Sequence, residues 1–138
     1  MFVGTFEHSL DDKGRLVLPV GFRPHLAPGG VVGQFDRCLA IWTPDTFEDL
    51  VRRLNDRVRV GDANTMSLRA LTANAADIRP DSQGRISIPQ RLRDFAGLQR
   101  EAVVIGVYDR IELWDAQRWS DAAGEADQSW VDVVNRGI

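Results

Sequence analysis

The chain has 138 residues, a formal net charge of −3 at pH 7 and 43% hydrophobic residues. This composition is typical of a globular domain, and it excludes a disordered chain, a collagen-like repeat and a coiled-coil rod. The single cysteine, Cys38, excludes an intrachain disulfide, and the acidic balance argues by itself against a general binder of polyanions.

Neither membrane insertion nor export is indicated by the sequence. The longest apolar stretch, 102–108, is far shorter than the roughly 20 residues that a membrane helix needs. The first residues lack a basic segment followed by an apolar core. We therefore expect no signal peptide and a cytoplasmic protein.

The first predicted element is a strand over 2–10, in which every second residue faces inward. A turn over 12–14 and a second strand over 15–18 follow. Together they predict a hairpin in which Asp11 and Arg15 are opposed across the strand pair.

Further along the chain, Pro19 opens a short helical segment, and a second hairpin is predicted with its turn at 36–37. Thr43 suits the N-cap of the next helix, and Pro44 suits its first position. Apolar residues then recur at helical spacing, namely Phe47, Leu50, Val51, Leu54 and Val58. A linking helix is predicted over 62–75, with apolar contacts from Met66, Leu68, Leu71 and Ala75.

An internal repeat relates the two halves of the chain. The segments 11–19 and 81–89 both read Asp-x-x-Gly-Arg-x-x-x-Pro, at an offset of 70. The similarity continues from Phe22-Arg23 to Leu92-Arg93. A repeat of this length indicates a duplicated supersecondary unit. Because one unit buries little surface alone, we expect the two to pack or interleave into one pseudo-symmetric body.

The second copy is predicted to repeat the plan of the first. Its elements are a turn at 82–84, a strand at 85–88, a helix at 89–98, a hairpin of 102–106 with 110–114, and a helix capped by Asp115. Beyond it we expect a fraying helix end and a mobile acidic tail. The predicted division is a first unit at 5–47, linking helices at 48–75, a second unit at 76–119 and an acidic tail at 120–138.

Residue parity directs Arg15 and Arg85 outward from their turns, each beside an aspartate. One interpretation is an exposed ion pair, which contributes about 0–1 kcal/mol. The other is a guanidinium that its aspartate orients toward a polyanion or a base edge. The spacing leaves both interpretations open.

Charge is distributed unevenly along the chain. Residues 79–100 carry five arginines and two aspartates, whereas 120–138 carry four acidic residues and one arginine. A basic motif region beside an acidic tail is compatible with a selective binder of nucleic acid. Solvated helix faces explain Arg91, Arg93 and Arg100 equally well.

Signals for catalysis and for metal binding are poor. His8 and His25 are isolated in the sequence, and no glycine-rich phosphate loop is present. We expect His8 to be a core histidine and Cys38 a buried thiol. The sequence therefore predicts no catalytic residue, no metal site and no cofactor.

The doubled Asp-x-x-Gly-Arg motif, together with the opening Met1-Phe2-x-Gly4 and the later Glu112-Leu113-Trp114-Asp115, resembles the bacterial MraZ family over residues 1–120. The resemblance implies an α+β, β-rich fold of two tandem SpoVT-AbrB-like halves. Such halves are related to swapped-hairpin and double-psi barrels, and they would form one pseudo-two-fold body with flanking helices.

The resemblance also implies a function. Members of this family are DNA-binding regulators, typically repressors, of the division and cell-wall gene cluster, and they bind short G-rich direct repeats upstream of their own gene. The expected partners are double-stranded promoter DNA and further copies of the chain in a ring-shaped homo-oligomer, often an octamer. A membrane partner is not expected, and the expected location is the cytoplasm, at the nucleoid.

Matching positions carry over as candidates for DNA contact, namely Lys13, Gly14, Arg15, Gln83, Gly84 and Arg85, with Asp11 and Asp81 as orienting residues. Arginine can bind guanine O6 and N7 with two hydrogen bonds, whereas lysine and the glycine backbone suit phosphate. Because Gln83 stands where the first copy has Lys13, the two turns should contribute unequally.

Two other functions remain open at this point. The same turns could serve an oligomeric protein-interaction scaffold, which would show no salt-dependent affinity for DNA. An antitoxin-like AbrB-fold module would carry a disordered, partner-binding C-terminus, and the predicted folded second unit argues against it. An enzyme is the least supported function.

Overall fold

A computed structural model describes residues 1–138. The strands are β1 (Thr5–Ser9), β2 (Arg15–Val17), β3 (Gly30–Phe35), β4 (Cys38–Trp42), β5 (Ala76–Ile78), β6 (Arg85–Ser87), β7 (Glu101–Val107) and β8 (Arg110–Asp115). The helices are α1 (Arg23–Leu26), α2 (Pro44–Arg59), α3 (Thr65–Asn74), α4 (Gln90–Ala96) and α5 (Ala116–Asn135), and a 3-10 turn, Val20–Phe22, precedes α1. The predicted α+β, β-rich class is confirmed.

Six strands form one antiparallel sheet in the order β1-β7-β8-β4-β3-β5. The hairpins β3–β4 and β7–β8, one from each repeat, lie side by side and are joined where Leu39 of β4 faces Leu113 of β8. The outer strands are exchanged, since β1 of the first repeat pairs with β7 of the second and β5 of the second pairs with β3 of the first. The strand order is therefore the same from either edge of the sheet once the two repeats are interchanged, as a pseudo-two-fold arrangement requires.

The remaining strands, β2 and β6, pair with each other in a separate antiparallel ribbon. Leu16 of β2 faces Ile86 of β6, and both side chains are buried. Leu18 and Ile88, which follow the two strands, are buried as well. The four side chains belong to a core cluster that lies beneath the ribbon and is shared by both repeats.

The predicted hairpin of the first repeat is wrong in its pairing, although its turn is present. β1 and β2 do not pair with each other, because each finds its partner in the second repeat. Since β2 and β6 carry the same inward-facing pattern, exchanged pairing buries the leucines and isoleucines of both copies in one core. The expectation that the repeats interleave is confirmed.

Local signals placed the helix starts correctly. Thr43 caps α2, its Oγ1 accepting from the amide of Thr46, and Pro44 is the first helical residue. Asp115 caps α5 in the same way through the amide of Arg118. The flanking aromatic pair Trp114 and Trp119 packs with its ring centroids 5.3 Å apart.

Three expectations need correction. α5 continues unbroken to Asn135, so the predicted fraying helix end and mobile tail are wrong. The helix is favoured by residues with high helix propensity. It is also favoured by side-chain hydrogen bonds one turn apart, such as the one from Gln128 Nε2 to Asp132 Oδ1 at 2.9 Å. Met66 is 61% exposed, so most of its side chain faces solvent and not the core. His8 is half-buried rather than in the core, since β1 is an edge strand; burial and the nearby charge of Arg23 lower its pKa.

Cys38 is fully buried, as predicted, and its thiol donates to the carbonyl oxygen of Phe35 at 3.0 Å. Burial raises the pKa of this thiol far above its ordinary value. None of the helices combines the length and the apolar character that crossing a membrane requires.

Candidate nucleic-acid interface

Turn 1, residues 11–15, is organised by the carboxylate of Asp11. Its Oδ1 accepts from the amides of Lys13 and Arg15, both at 2.9 Å, and its Oδ2 accepts from Arg15 Nε at 2.7 Å. The backbone closes the turn, because the Asp11 amide donates to the Arg15 carbonyl and the Gly14 amide to the Asp11 carbonyl. One carboxylate thus shapes the backbone of the turn and orients the arginine.

Turn 2, residues 81–85, repeats this geometry. Asp81 Oδ1 accepts from the amides of Gln83 and Arg85, both at 2.9 Å, and Oδ2 accepts from Arg85 Nε at 2.8 Å. The pair is thus a contact within the turn, four residues apart, and not a contact across paired strands as predicted.

The ribbon brings the two turns into one surface. Arg15 faces Ser87 and Arg85 faces Val17, so both arginines lie on the outward side of the same two strands. They are diagonal neighbours, and backbone positions of this kind lie about 7–8 Å apart. Arg15 and Arg85 thus share one face, whereas Lys13 and Gln83 are exposed within their turns.

Both arginines keep their outer nitrogens available. In each guanidinium, Nε is the only nitrogen that forms a hydrogen bond. In the buried and half-buried side chains, every nitrogen and oxygen that is shielded from solvent has a hydrogen-bond partner. The Nη1 and Nη2 groups are therefore in contact with solvent. A guanidinium presented in this way has two parallel donors free for a ligand.

The exchange of strands also ties each turn to the opposite repeat. The amide of Leu18 donates to the Gly84 carbonyl at 2.9 Å, and the amide of Ile88 donates to the Gly14 carbonyl at 3.0 Å. Each turn is thus anchored to the other repeat by a backbone hydrogen bond at its glycine.

Glycine is required in each turn for two reasons. Gly14 has φ of +74° and Gly84 has φ of +77°, a conformation that side chains disfavour. Moreover, a Cβ at Gly14 would lie 2.5 Å from Cζ of Arg93, and a Cβ at Gly84 would lie 2.3 Å from Nε of Arg23. Each glycine therefore carries a guanidinium from the other repeat against its backbone.

The electrostatics of the turns follow from their hydrogen bonds. The pKa of Asp11 lies below its ordinary value, mainly because its carboxylate accepts from the Arg15 amide. The pKa of Asp81 is lowered in the same way by the Arg85 amide. Both aspartates therefore stay ionised at neutral pH and keep holding their arginines.

Sequence reasoning identified the turns and missed the contacts between repeats. The structure brings Asp11, Arg15, Asp81 and Arg85 together as two related units, whereas their role in binding stays a prediction. Arg93, for which a solvated helix face was one interpretation, packs on Gly14. The available signal was the repeat itself, since Arg23 and Arg93 each follow the turn arginine by eight residues. No three His, Cys, Asp or Glu side chains gather as ligands for a metal ion.

Comparison with known proteins places this sequence in a family. The family model described as "MraZ protein, putative antitoxin-like" matches twice, at residues 1–70 and 71–138. Proteins called transcriptional regulator MraZ are similar over nearly the whole chain. The one from Salinispora arenicola is 41% identical over 96% of this chain and 94% of its own. The one from Thermobifida fusca is 42% identical over 97% of this chain and 94% of its own. The one from Roseiflexus castenholzii is 42% identical over 92% of this chain and 90% of its own.

Replacing Gly14 with alanine is expected to lower the free energy of unfolding by about 1–3 kcal/mol, because the positive φ is unfavourable and the new Cβ would displace Arg93. Urea denaturation measures the change. Gly21→Ala is the matched control, since no atom lies within 4 Å of its added Cβ, and its effect should stay within about 0.5 kcal/mol. Equal effects of both substitutions would contradict the packing of Arg93 on the turn.

The carboxyl groups of Asp11 and Asp81 should titrate below the ordinary value of 3.8. Because their pKa is lowered on folding, the stability they contribute is present above the pKa of the unfolded chain and is lost as the pH falls through the folded pKa. Carbon-detected NMR of the side-chain carboxyls measures both midpoints. Midpoints at or above 3.8 would show that the turns do not hold their aspartates as described.

Proposed function

The chain belongs to the MraZ family, and we propose that it is a transcriptional regulator that binds double-stranded DNA sequence-specifically through turns 1 and 2. The observation that carries the proposal is the pair of aspartate-held arginines on one face of the β2–β6 ribbon, both with their Nη groups free. We propose a regulator rather than an enzyme, because the similar proteins are named transcriptional regulators.

The hydrogen bond from Nε to aspartate leaves the end of each guanidinium free. In that arrangement Nη1 and Nη2 can donate together to O6 and N7 of one guanine, which is the commonest specific contact in the major groove. Because the aspartate already fixes the side chain, less rotamer freedom is lost on binding. The arginines supported by Asp11 and Asp81 are therefore the base-reading candidates.

The dimensions of the ribbon also suit a duplex. A two-stranded ribbon fits the major groove of B-form DNA. The backbone positions of Arg15 and Arg85, about 7–8 Å apart, correspond to about two base-pair steps at 3.4 Å per step. Lys13 and Gln83 stand at the exposed tips and are proposed to contact the flanking phosphates. Gly14 and Gly84 are proposed to serve the interface by shaping the turns, because both are buried and their amides already donate to the carbonyls of Asp11 and Asp81.

The finer target follows from the family resemblance. We propose that the site is a set of short G-rich direct repeats upstream of the protein's own gene, and that binding represses the division and cell-wall gene cluster. The protein would then act in the cytoplasm, at the nucleoid. Arginine pairs that read guanine support a G-rich site.

We also propose that copies of the chain assemble into a ring-shaped homo-oligomer, an octamer. The ring and its size follow from the family resemblance. Self-association itself is supported by α5, whose apolar stripe packs Ala122 against the sheet and then continues into solvent. Trp130 is 58% exposed there, and Val133 and Val134 are 38% and 46% exposed. Subunit interfaces bury exposed apolar stripes of this kind, and each further copy brings an identical one.

Substituting both Arg15 and Arg85 by alanine should weaken binding to a duplex from directly upstream of the gene by about 2 kcal/mol or more, since each two-bonded arginine–guanine contact contributes about 1–3 kcal/mol. It should also reduce the salt dependence of binding. Fluorescence anisotropy over a range of salt concentrations measures both quantities. The control variant carries Arg69→Ala and Arg136→Ala, which remove the same charge from exposed positions outside the turns.

Wild-type protein offers a second measurement for the same proposal. Lys13 is the only lysine of the chain, so an amine-acetylating reagent modifies turn 1 and, apart from it, only the N-terminus. Mass spectrometry should show that the upstream duplex protects Lys13. Unchanged binding of the double variant, with Lys13 unprotected, would refute the proposed site; the absence of any salt-dependent affinity would favour the protein-interaction scaffold instead.

Trp130→Ala should shift the protein toward smaller species in light scattering, because it removes the largest exposed apolar side chain of α5. Gln128→Ala, two residues earlier and polar, is the control and should leave the mass unchanged. A Trp130 variant with the same mass as wild type would show that α5 does not form the subunit contact.

A further inference from the structure

We propose that Arg23 and Arg93 are phosphate-binding residues of the nucleic-acid interface, and that each one serves the turn of the opposite repeat. The inference rests on the proposed DNA binding by turns 1 and 2. It adds that each DNA-binding unit is composite: turn 1 acts with Arg93, and turn 2 acts with Arg23.

The net charge of the turns indicates that further cations contribute to binding DNA. Turn 1 contains two acidic and two basic side chains, and turn 2 contains one of each, so neither turn has a net charge of its own. A duplex presents about one negative charge per 1.7 Å of its axis, and affinity for it comes mainly from neutralised phosphates. The additional cation at each turn is the arginine that the other repeat supplies.

Geometry fixes both arginines against the turns. Arg93 Nε donates to the carbonyl of Ile88 at 3.0 Å, and Arg23 Nε donates to the carbonyl of Leu18 at 3.0 Å. Both guanidinium groups lie directly over the turn glycines, at distances that leave no room for a Cβ. Their positions are thus as well defined as those of Arg15 and Arg85.

The remaining donors of Arg23 and Arg93 are free. Neither residue forms an ion pair, and neither uses Nη1 or Nη2 in a hydrogen bond. Two of the four exposed arginines of α2 differ in this respect, since Arg52 and Arg57 pair with carboxylates. Since no enclosed side-chain nitrogen lacks a partner, the Nη groups of Arg23 and Arg93 reach solvent beside the turns. A purely structural brace would need only the bond from Nε.

The separation of roles is expected to show in the salt dependence. Arg15 and Arg85 read bases and therefore discriminate between sequences, whereas a phosphate contact weakens binding uniformly. Arg93→Met and Arg23→Met keep an apolar stem over the glycine and remove the charge. Each should weaken binding about three- to tenfold for the upstream duplex and for a scrambled duplex of equal length.

The decisive measurement is anisotropy titration of both duplexes over a range of salt concentrations. The slope of log affinity against log salt should fall by about 0.9 for each arginine removed. Arg91→Met is the matched control, because Arg91 lies on the same helix, α4, and its guanidinium is bonded to the carbonyl of Asn74, away from the turns; its slope should not change. Arg93→Lys and Arg23→Lys keep the charge and should keep the slope, which preserves the test if the methionine variants fold poorly.

The assignment across repeats is tested by combining variants. The effect of Arg93→Met should depend on whether Arg15 is present, since both act at turn 1, whereas the effect of Arg23→Met in the same background should add independently. If Arg15→Ala with Arg85→Ala abolishes specific binding while the methionine variants keep the wild-type slope, this inference is refuted and the proposed function stands. If the alanine pair leaves binding intact, the proposed function itself fails.

Discussion

The pairing of β2 with β6 supports the whole candidate interface. Each strand has only three residues, and a pair this short is stable here because Leu16, Leu18, Ile86 and Ile88 anchor it on the common core. The ribbon hydrogen bonds continue into Gly14 and Gly84, so the turns are extensions of a packed element. Loops that only connect strands lose more conformational freedom on binding. A rigid pair of turns is the property that lets two arginines be presented at a fixed spacing.

Net charge is a poor guide to a surface built in this way. The chain is acidic overall, yet the acidic residues of α5 are exposed on a helix that is separate from the turns, and the aspartates of the turns orient arginines. What matters for an anionic ligand is which donors remain free. A modest cationic surface limits non-specific attraction and leaves more of the discrimination to direct contacts.

Local sequence signals predicted the local features of this protein. The aspartate–arginine contact spans four residues, the caps at Thr43 and Asp115 span three, and all were readable from spacing. The partner of each short strand could not be predicted, because β2 and β6 carry the same pattern. Pairing of β1 with β2 in a hairpin would bury the same side chains as the observed pairing of β2 with β6. The contact of Arg93 with Gly14 depends on that exchange and was missed with it. Helix α5 extends past the predicted fraying point because its helix formers and its side-chain hydrogen bonds one turn apart support it despite its acidic residues.

The exchange of outer strands also sets a schedule for folding. Ser9 of β1 pairs with Glu101 of β7, 92 residues later in the chain, so the first strand is synthesised long before its partner. At 5–20 residues per second the wait is roughly 5–20 s. During that time β1 is an unpaired strand with an exposed phenylalanine, Phe6. Chaperones protect segments of this kind, and neighbouring nascent chains can pair with them. Polysomes carrying this message are therefore where pairing errors between copies would arise.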